Sequence, residues 1–350
     1  MIIGSTADII RDMEHSHLWP KSLEASVTTT FVSIDPHSSR FRKLSSKNKK
    51  KYFDYPYAEP SGLTFLGESE GDKTLFMVSD EGRIGRSENE GDSWDFHDFV
   101  EESRDIESVF TIPGDEKHIY LGFEGFEDDR NTACIYSYNV QENASDGPFW
   151  KLNTEKGKNL YGAEAMTFVP SGNPPFSEKG KSKGNLDGIC LVTSQDQKGE
   201  IYQYRLPEKT SAINLTPLAV IGANAEGGKL PIFEVLHISD LCWDDKNKAL
   251  WVLYDIDKRK SSCVIQVLFT DSEGAIASHS LAYDIHVGAE GIAIDGDDIY
   301  IGIDMSGKQA LNTGECIESY VQGKKEKCRM CLNYVLKYEG LAAFMLKQAE

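Results

Sequence analysis

The chain has 350 residues, of which 40% are hydrophobic, and a formal net charge of −19. That length admits two ordinary domains or one all-β domain, and the apolar share suffices for a core. The charge excludes nucleic acid, whose phosphates need a basic surface. It leaves room for a cation, a basic partner or simply a solvated acidic exterior.

Residues 7–24 mix apolar and charged positions at roughly helical spacing, and residues 1–25 are predicted to form an N-terminal arm or short helix. The opening Met1 to Ile10 has neither a basic start nor a long apolar stretch, so an intracellular location is favoured over a secreted mature form. No apolar run approaches the roughly 20 residues that span a bilayer. Residues 26–350 are expected to form a single domain. Ser26 to Ile34 is rich in Val, Thr and Phe and predicts a strand.

From residue 59 onward one pattern recurs. Glu59-Pro60-Ser61-Gly62-Leu63-Thr64-Phe65 is echoed by Asp105-Ile106-Glu107-Ser108-Val109 and by Gly162-Ala163-Glu164-Ala165-Met166-Thr167-Phe168. It returns in Ile238-Ser239-Asp240-Leu241-Cys242-Trp243 and in Gly288-Ala289-Glu290-Gly291-Ile292-Ala293-Ile294. Each copy sets Ser or Glu, then usually a small residue, at the head of an apolar run. A second β run ending on acids follows, as in Val78-Ser79-Asp80-Glu81 and Ile303-Asp304. Short strands repeating at roughly 50-residue spacing are the signature of propeller blades.

The first blade is predicted over Ser61 to Phe99, with strands near 61–66, 74–79, 83–87 and 94–99. Between the last two, Ser87-Glu88-Asn89-Glu90-Gly91-Asp92-Ser93-Trp94 matches the Asp-box pattern, a tight turn whose side chains bond backbone N–H groups. Further blades are predicted over 105–152, 162–222, 238–283 and from Glu290 to Tyr338, with long insertions at 171–186, 222–236 and 305–331. Five inner strands predict an all-β, five-bladed propeller, with six blades as the alternative. The strand at 26–34 is expected to close the ring on the last blade and so remove exposed sheet edges.

The order of residues heading the inner strands, Ser61, Glu107, Glu164, Ser239 and Glu290, with the acidic second strands, resembles the SdiA-regulated family of propellers. It is similar in style to esterase-like phytase and YjiK-like propellers. The resemblance covers most of residues 59–340 and implies the fold more than an activity.

In a propeller the inner strands line the central channel. Glu107, Glu164 and Glu290 are therefore expected to face one another at one mouth, where a divalent cation relieves their repulsion. Oxygen donors alone, with the Ser61 and Ser239 hydroxyls nearby, suit Ca²⁺. The alternatives are protonated glutamates, or pairing with Arg83, Arg104 or Arg130. His237 and His286 precede the fourth and fifth inner strands and are candidates for a general base on a metal-polarised substrate. The usual reading of such a histidine is a plain loop residue. Cys316, Cys328 and Cys331 share a polar loop, where one Cys-x-x-Cys is weak grounds for zinc. The sequence thus predicts a calcium-binding propeller that acts as a small-ligand or protein-binding module, expected to be a monomer. The alternative is a calcium-dependent hydrolase of a phosphoester, nucleotide or lactone.

Overall fold

The computed structural model describes residues 29–33, 41–43, 60–67, 73–79, 82–91, 94–99, 105–124, 132–154, 157, 160–177, 184–194, 199–208, 213–223, 225, 227–234, 236–255, 263–270, 276–283, 289–303, 320–321, 324–325 and 334–347. The predicted N-terminal arm, His286, the three clustered cysteines, Arg104 and Arg130 lie outside them.

Two strands, β1 (Thr29–Ser33) and β2 (Phe41–Lys43), precede the repeats. The first blade is the antiparallel meander β3 (Pro60–Leu66), β4 (Thr74–Ser79), β5 (Arg83–Ser87) and β6 (Asp95–Asp98). The second is β7 (Ile106–Phe110), β8 (His118–Phe123), β9 (Cys134–Asn139) and β10 (Ala144–Leu152), extended by β14 (Ile213–Leu215), which pairs parallel to β10. The third is β11 (Ala163–Pro170), β12 (Gly188–Ser194), β13 (Glu200–Tyr204) and β15 (Ala219–Gly222). The fourth is β16 (His237–Asp244), β17 (Ala249–Asp255), β18 (Cys263–Thr270) and β19 (Ile276–Tyr283). The fifth combines β20 (Ala289–Asp295), β21 (Asp298–Ile303) and β24 (Tyr334–Tyr338), with a small hairpin, β22 (Tyr320–Val321) and β23 (Lys324–Lys325), in the intervening insertion. A helix, α1 (Leu341–Lys347), follows and buries Leu341, Ala342 and Met345.

The five blades match the expectation, and an N-terminal strand closes the ring. It is a different strand from the one foreseen. β2 supplies the outer strand of the fifth blade, antiparallel to β24, whereas β1 adds in parallel to β19 of the fourth. Both short strands cover sheet edges that would otherwise stand open.

Apolar clusters fill all five seams. The seam between the third and fourth blades holds nineteen buried apolar residues, while that between the fifth and first holds six, Leu63, Leu75, Met77, Ala293, Tyr300 and Val335. Residues 230–233 and Leu236 belong to this core rather than to a loop. Leu230, Ile232, Phe233 and Leu236 are buried, and Gln266, held by the Tyr254 hydroxyl at 2.7 Å, donates to the Pro231 carbonyl. In the turn after β5, Ser87 accepts the Gly91 N–H at 2.8 Å and donates to Asn89 at 3.0 Å.

Candidate functional site

Every inner strand carries a β-bulge, and the bulges fall on the residues that the repeat singles out. The ladder slips between Pro60 and Gly62, Ile106 and Ser108, Ala163 and Met166, Ile238 and Asp240, and Ala289 and Gly291. Ser61, Glu107, Glu164, Ser239 and Glu290 are thus the extra or flanking residues at equivalent kinks. A bulge re-aims its side chain and interrupts edge pairing. Each inner strand is also a sheet edge, with N–H and C=O groups turned towards the axis, so the ring must satisfy those groups with side chains.

Side chains from neighbouring blades do this. The Ser61 hydroxyl donates to the Ile106 carbonyl at 2.6 Å, and Thr111 donates to the Phe65 carbonyl at 3.3 Å. The Trp243 N–H donates to Thr167 Oγ1 at 3.0 Å. Asp240, fully buried, takes the largest share. Its Oδ1 accepts the Leu241 N–H and its Oδ2 the Ile292 N–H, each at 2.8 Å, and the Leu63 N–H donates to it as well. Leu63 is in the first blade and Asp240 in the fourth, two places apart in the ring. Blades so separated meet only at the centre, so this carboxyl plugs the axis. Burial pushes its pKa well above the ordinary carboxylate range, against the opposing pull of the three N–H donors.

Ser61 is turned to a neighbouring carbonyl, and Ser239 is buried. Glu164 is buried and Glu107 and Glu290 are half-buried. Among the described residues no group of three or more His, Cys, Asp or Glu side chains is gathered to hold a metal ion. The inner strands crowd one another closely. A Cβ on Gly62 would lie 2.9 Å from Ser108 Cα, and one on Gly291 would lie 3.0 Å from Leu63 Cγ. His237 opens β16 opposite Asp255 and is partly exposed. Near the same mouth, burial and then the Asp105 charge push the Glu124 carboxyl upward.

The opposite mouth, where the inner strands end, holds a recess of about 510 Å³. All five blades line it, through Thr64 to Gly67 and Lys73, Val109 to Glu116, Thr167 and Phe168, Leu241 to Lys246, and Ile294 with Gly296. Its volume falls in the range of organic-ligand sites. Phe65 and Trp243, both partly exposed, supply aromatic surface, with the buried Phe110 and Phe168 behind them.

Trp243 is fixed on three sides. Its N–H is held by Thr167, its indole N–H donates to Asp245 at 3.2 Å, and Phe176 meets it edge-on at 5.9 Å between centroids. Phe176 comes from the 171–186 insertion, whose described start folds against the fourth blade, where Thr270 donates to the Pro174 carbonyl at 3.2 Å. Asp115 accepts from Tyr120 at 2.8 Å and lies 2.9 Å from the His118 ring nitrogen. Burial alone would raise its pKa, but the Tyr120, His118 and Lys117 contacts outweigh it and keep the carboxyl ionised below its usual range. Lys73 is paired with Asp295 at 2.6 Å. Nothing in the inner-strand repeat marked this mouth. The available signal was in the hairpin turns, Pro113-Gly114-Asp115-Glu116 and Asp244-Asp245-Lys246.

No family model matches the chain, and no curated protein matches it. Among solved structures, a putative oxidoreductase (glucose dehydrogenase) from Thermus thermophilus is similar over 80% of this chain and 96% of its own, at 12% identity and a TM-score of 0.40. A crystal structure of BBS1N in complex with ARL6DN is similar over 56% of this chain and 48% of that one, so the chain spans about half of it, at 12% identity and a TM-score of 0.30. Among the described residues no helix is long and apolar enough to cross a membrane.

Proposed function

We propose that this propeller is a binding module whose site is the recess at the ends of the five inner strands. The carrying observation is that one hollow of ligand size is walled by all five blades and by Trp243, whose backbone N–H is held by Thr167 and whose indole is held by Asp245 and Phe176. Such a wall loses little freedom when it meets a ligand, which is the condition for affinity in a small site. Ligand-observed NMR with a fragment set of amines, carboxylic acids, sugars and nucleosides tests the reading. Hits are expected, with at least tenfold weaker binding to Trp243→Ala at unchanged circular dichroism. An absence of hits, or hits indifferent to Trp243→Ala, would overturn it.

A second reading concerns the other mouth, where the five bulges set Ser61, Glu107, Glu164, Ser239 and Glu290 at equivalent positions. Its support is this shared level and the half-buried Glu124 beside Asp105. Calcium bound there would make the site structural, or a Lewis acid for a hydrolase with His237 as base. Calorimetric titration of chelator-stripped protein decides between these readings. One Ca²⁺ per chain, with affinity lost in Glu164→Gln, would establish the site. No heat with Ca²⁺, Mg²⁺ or Mn²⁺ would leave the recess alone.

A further inference from the structure

The recess does not end at the axis. A second hollow of about 250 Å³ adjoins it, and the two share Ile112, Pro113, Gly114, Asp115 and Phe168 as a common wall. The second hollow runs outward between the second and third blades, bounded on its far side by Pro170, Leu186, Asp187 and Glu208. The combined shape is two lobes on either side of one turn, an elongated form that suits a chain rather than a single compact molecule.

The charge along this path is one-sided. Asp115, Glu116, Asp187, Glu208, Asp244 and Asp245 line it, against Lys73 and Lys246. Lys73 is already matched by Asp295 across the seam, and Asp245 by Lys248 at 2.7 Å. The aromatic wall adds ring faces that attract alkylammonium and guanidinium groups. The whole molecule carries −19, which steers cationic partners towards it over a Debye length.

We propose that the occupant is an extended, basic segment of a partner protein, with one Lys or Arg side chain entering the axial recess beside Trp243 and the following residues lying along the outer lobe past Asp187 and Glu208. This inference rests on the recess being the binding site. Acidic complementarity would then set the on-rate and its salt dependence, while the buried aromatic contact would set the dwell time.

Selection from a displayed library of randomised nonapeptides on the full chain tests it, followed by fluorescence anisotropy with the synthetic winner. Sequences enriched in Arg and Lys are expected. Their affinity should fall at least tenfold in Asp187→Lys and in Glu208→Lys, both exposed positions whose fold is checked by circular dichroism, and in Trp243→Ala. Enrichment of neutral or acidic sequences, no enrichment, or equal competition by spermine would overturn the basic-peptide assignment. Loss of binding in Trp243→Ala with none in the two charge reversals would keep the recess and discard the outer lobe. Indifference of both peptides and small fragments to Trp243→Ala would remove the recess as well.

Discussion

Asp240→Ala is expected to be the most damaging single substitution in the inner ring, at about 3–5 kcal/mol, read as a fall in the urea midpoint. The side chain is fully buried and accepts N–H groups from its own strand, the fifth blade and the first. Alanine strands all three donors at a place crowded by the inner strands, and each unsatisfied buried donor costs about 1–3 kcal/mol. Asp240→Asn should lie between wild type and alanine. Its amide offers one acceptor oxygen, but Oδ1 and Oδ2 both accept N–H groups here, so one backbone donor would face an NH₂ group. Equal stability of Asp240→Ala and wild type would mean that the blades are held at the axis by their apolar seams alone.

The pH dependence of that comparison has a definite sign. Burial raises the Asp240 pKa in the folded protein, so the folded state binds its proton more tightly than the unfolded chain, whose carboxyl titrates near about 3.9. Its contribution is complete below that value and declines as pH rises towards the folded value. The asparagine variant does not titrate, and effects of the other carboxylates cancel in the difference. The stability margin of wild type over Asp240→Asn should therefore be wider at pH 4.5 than at pH 8. A margin that widens with pH would show the three N–H donors outweighing burial.

Those residues also show how far the sequence could be read. The inner strands and the first blade were legible because apolar alternation and turn residues are local signals. The predicted 74–79 and 83–87 are the observed β4 and β5. The head residues were located as a set: Ser61, Glu107, Glu164, Ser239 and Glu290 recur where the strand kinks, and a bulge has no signature distinct from a ligand set. The exception in the same pattern was the better clue. The position after each head residue is Gly62, Ser108, Ala165 and Gly291, and in the fourth copy alone an acid, Asp240. Four small residues report a crowded centre, and the acid reports what fills it. The blades that loaned strands join were not legible, although β1 itself was foreseen as a strand within 26–34. β14, β1 and β2 are three to five residues long, and their partners lie far away in sequence, so neither periodicity nor turn chemistry names the blade they join. The recess escaped notice for a related reason, because its walls come from five separate hairpin ends.

Lys337→Met is expected to cost about 1–3 kcal/mol and to loosen one seam before the rest. The fifth and first blades share the smallest apolar cluster, and ion pairs reinforce it. Lys337 Nζ lies 2.6 Å from Glu90 and 3.0 Å from Asp298, and 5.4 Å above the Tyr300 ring, with its side chain only 10% exposed. Glu90 belongs to the turn of the first blade, so this contact spans the junction at which the ring closes. Methionine keeps the apolar stem against Tyr300 but removes the charge, leaving Asp298 half-buried beside an uncharged neighbour. Glu90 is exposed enough to recover water, which keeps the cost below that of breaking a fully buried pair. Burial would lower the lysine pKa, but Glu90, Tyr300 and Asp298 together raise it above the ordinary lysine range. Its contribution is therefore complete below about pH 10.4, the unfolded value, and lost only as pH rises beyond it. The margin of wild type over Lys337→Met should be flat between pH 6 and 9. Hydrogen exchange should quicken in β24 and the β5–β6 turn while the seam between the third and fourth blades stays protected. Lys248→Met, which removes an exposed pair with Asp245, is the control and should change stability little. If Lys337→Met proves equally silent, closure rests on the six apolar residues, the Lys73–Asp295 pair and β2 pairing with β24.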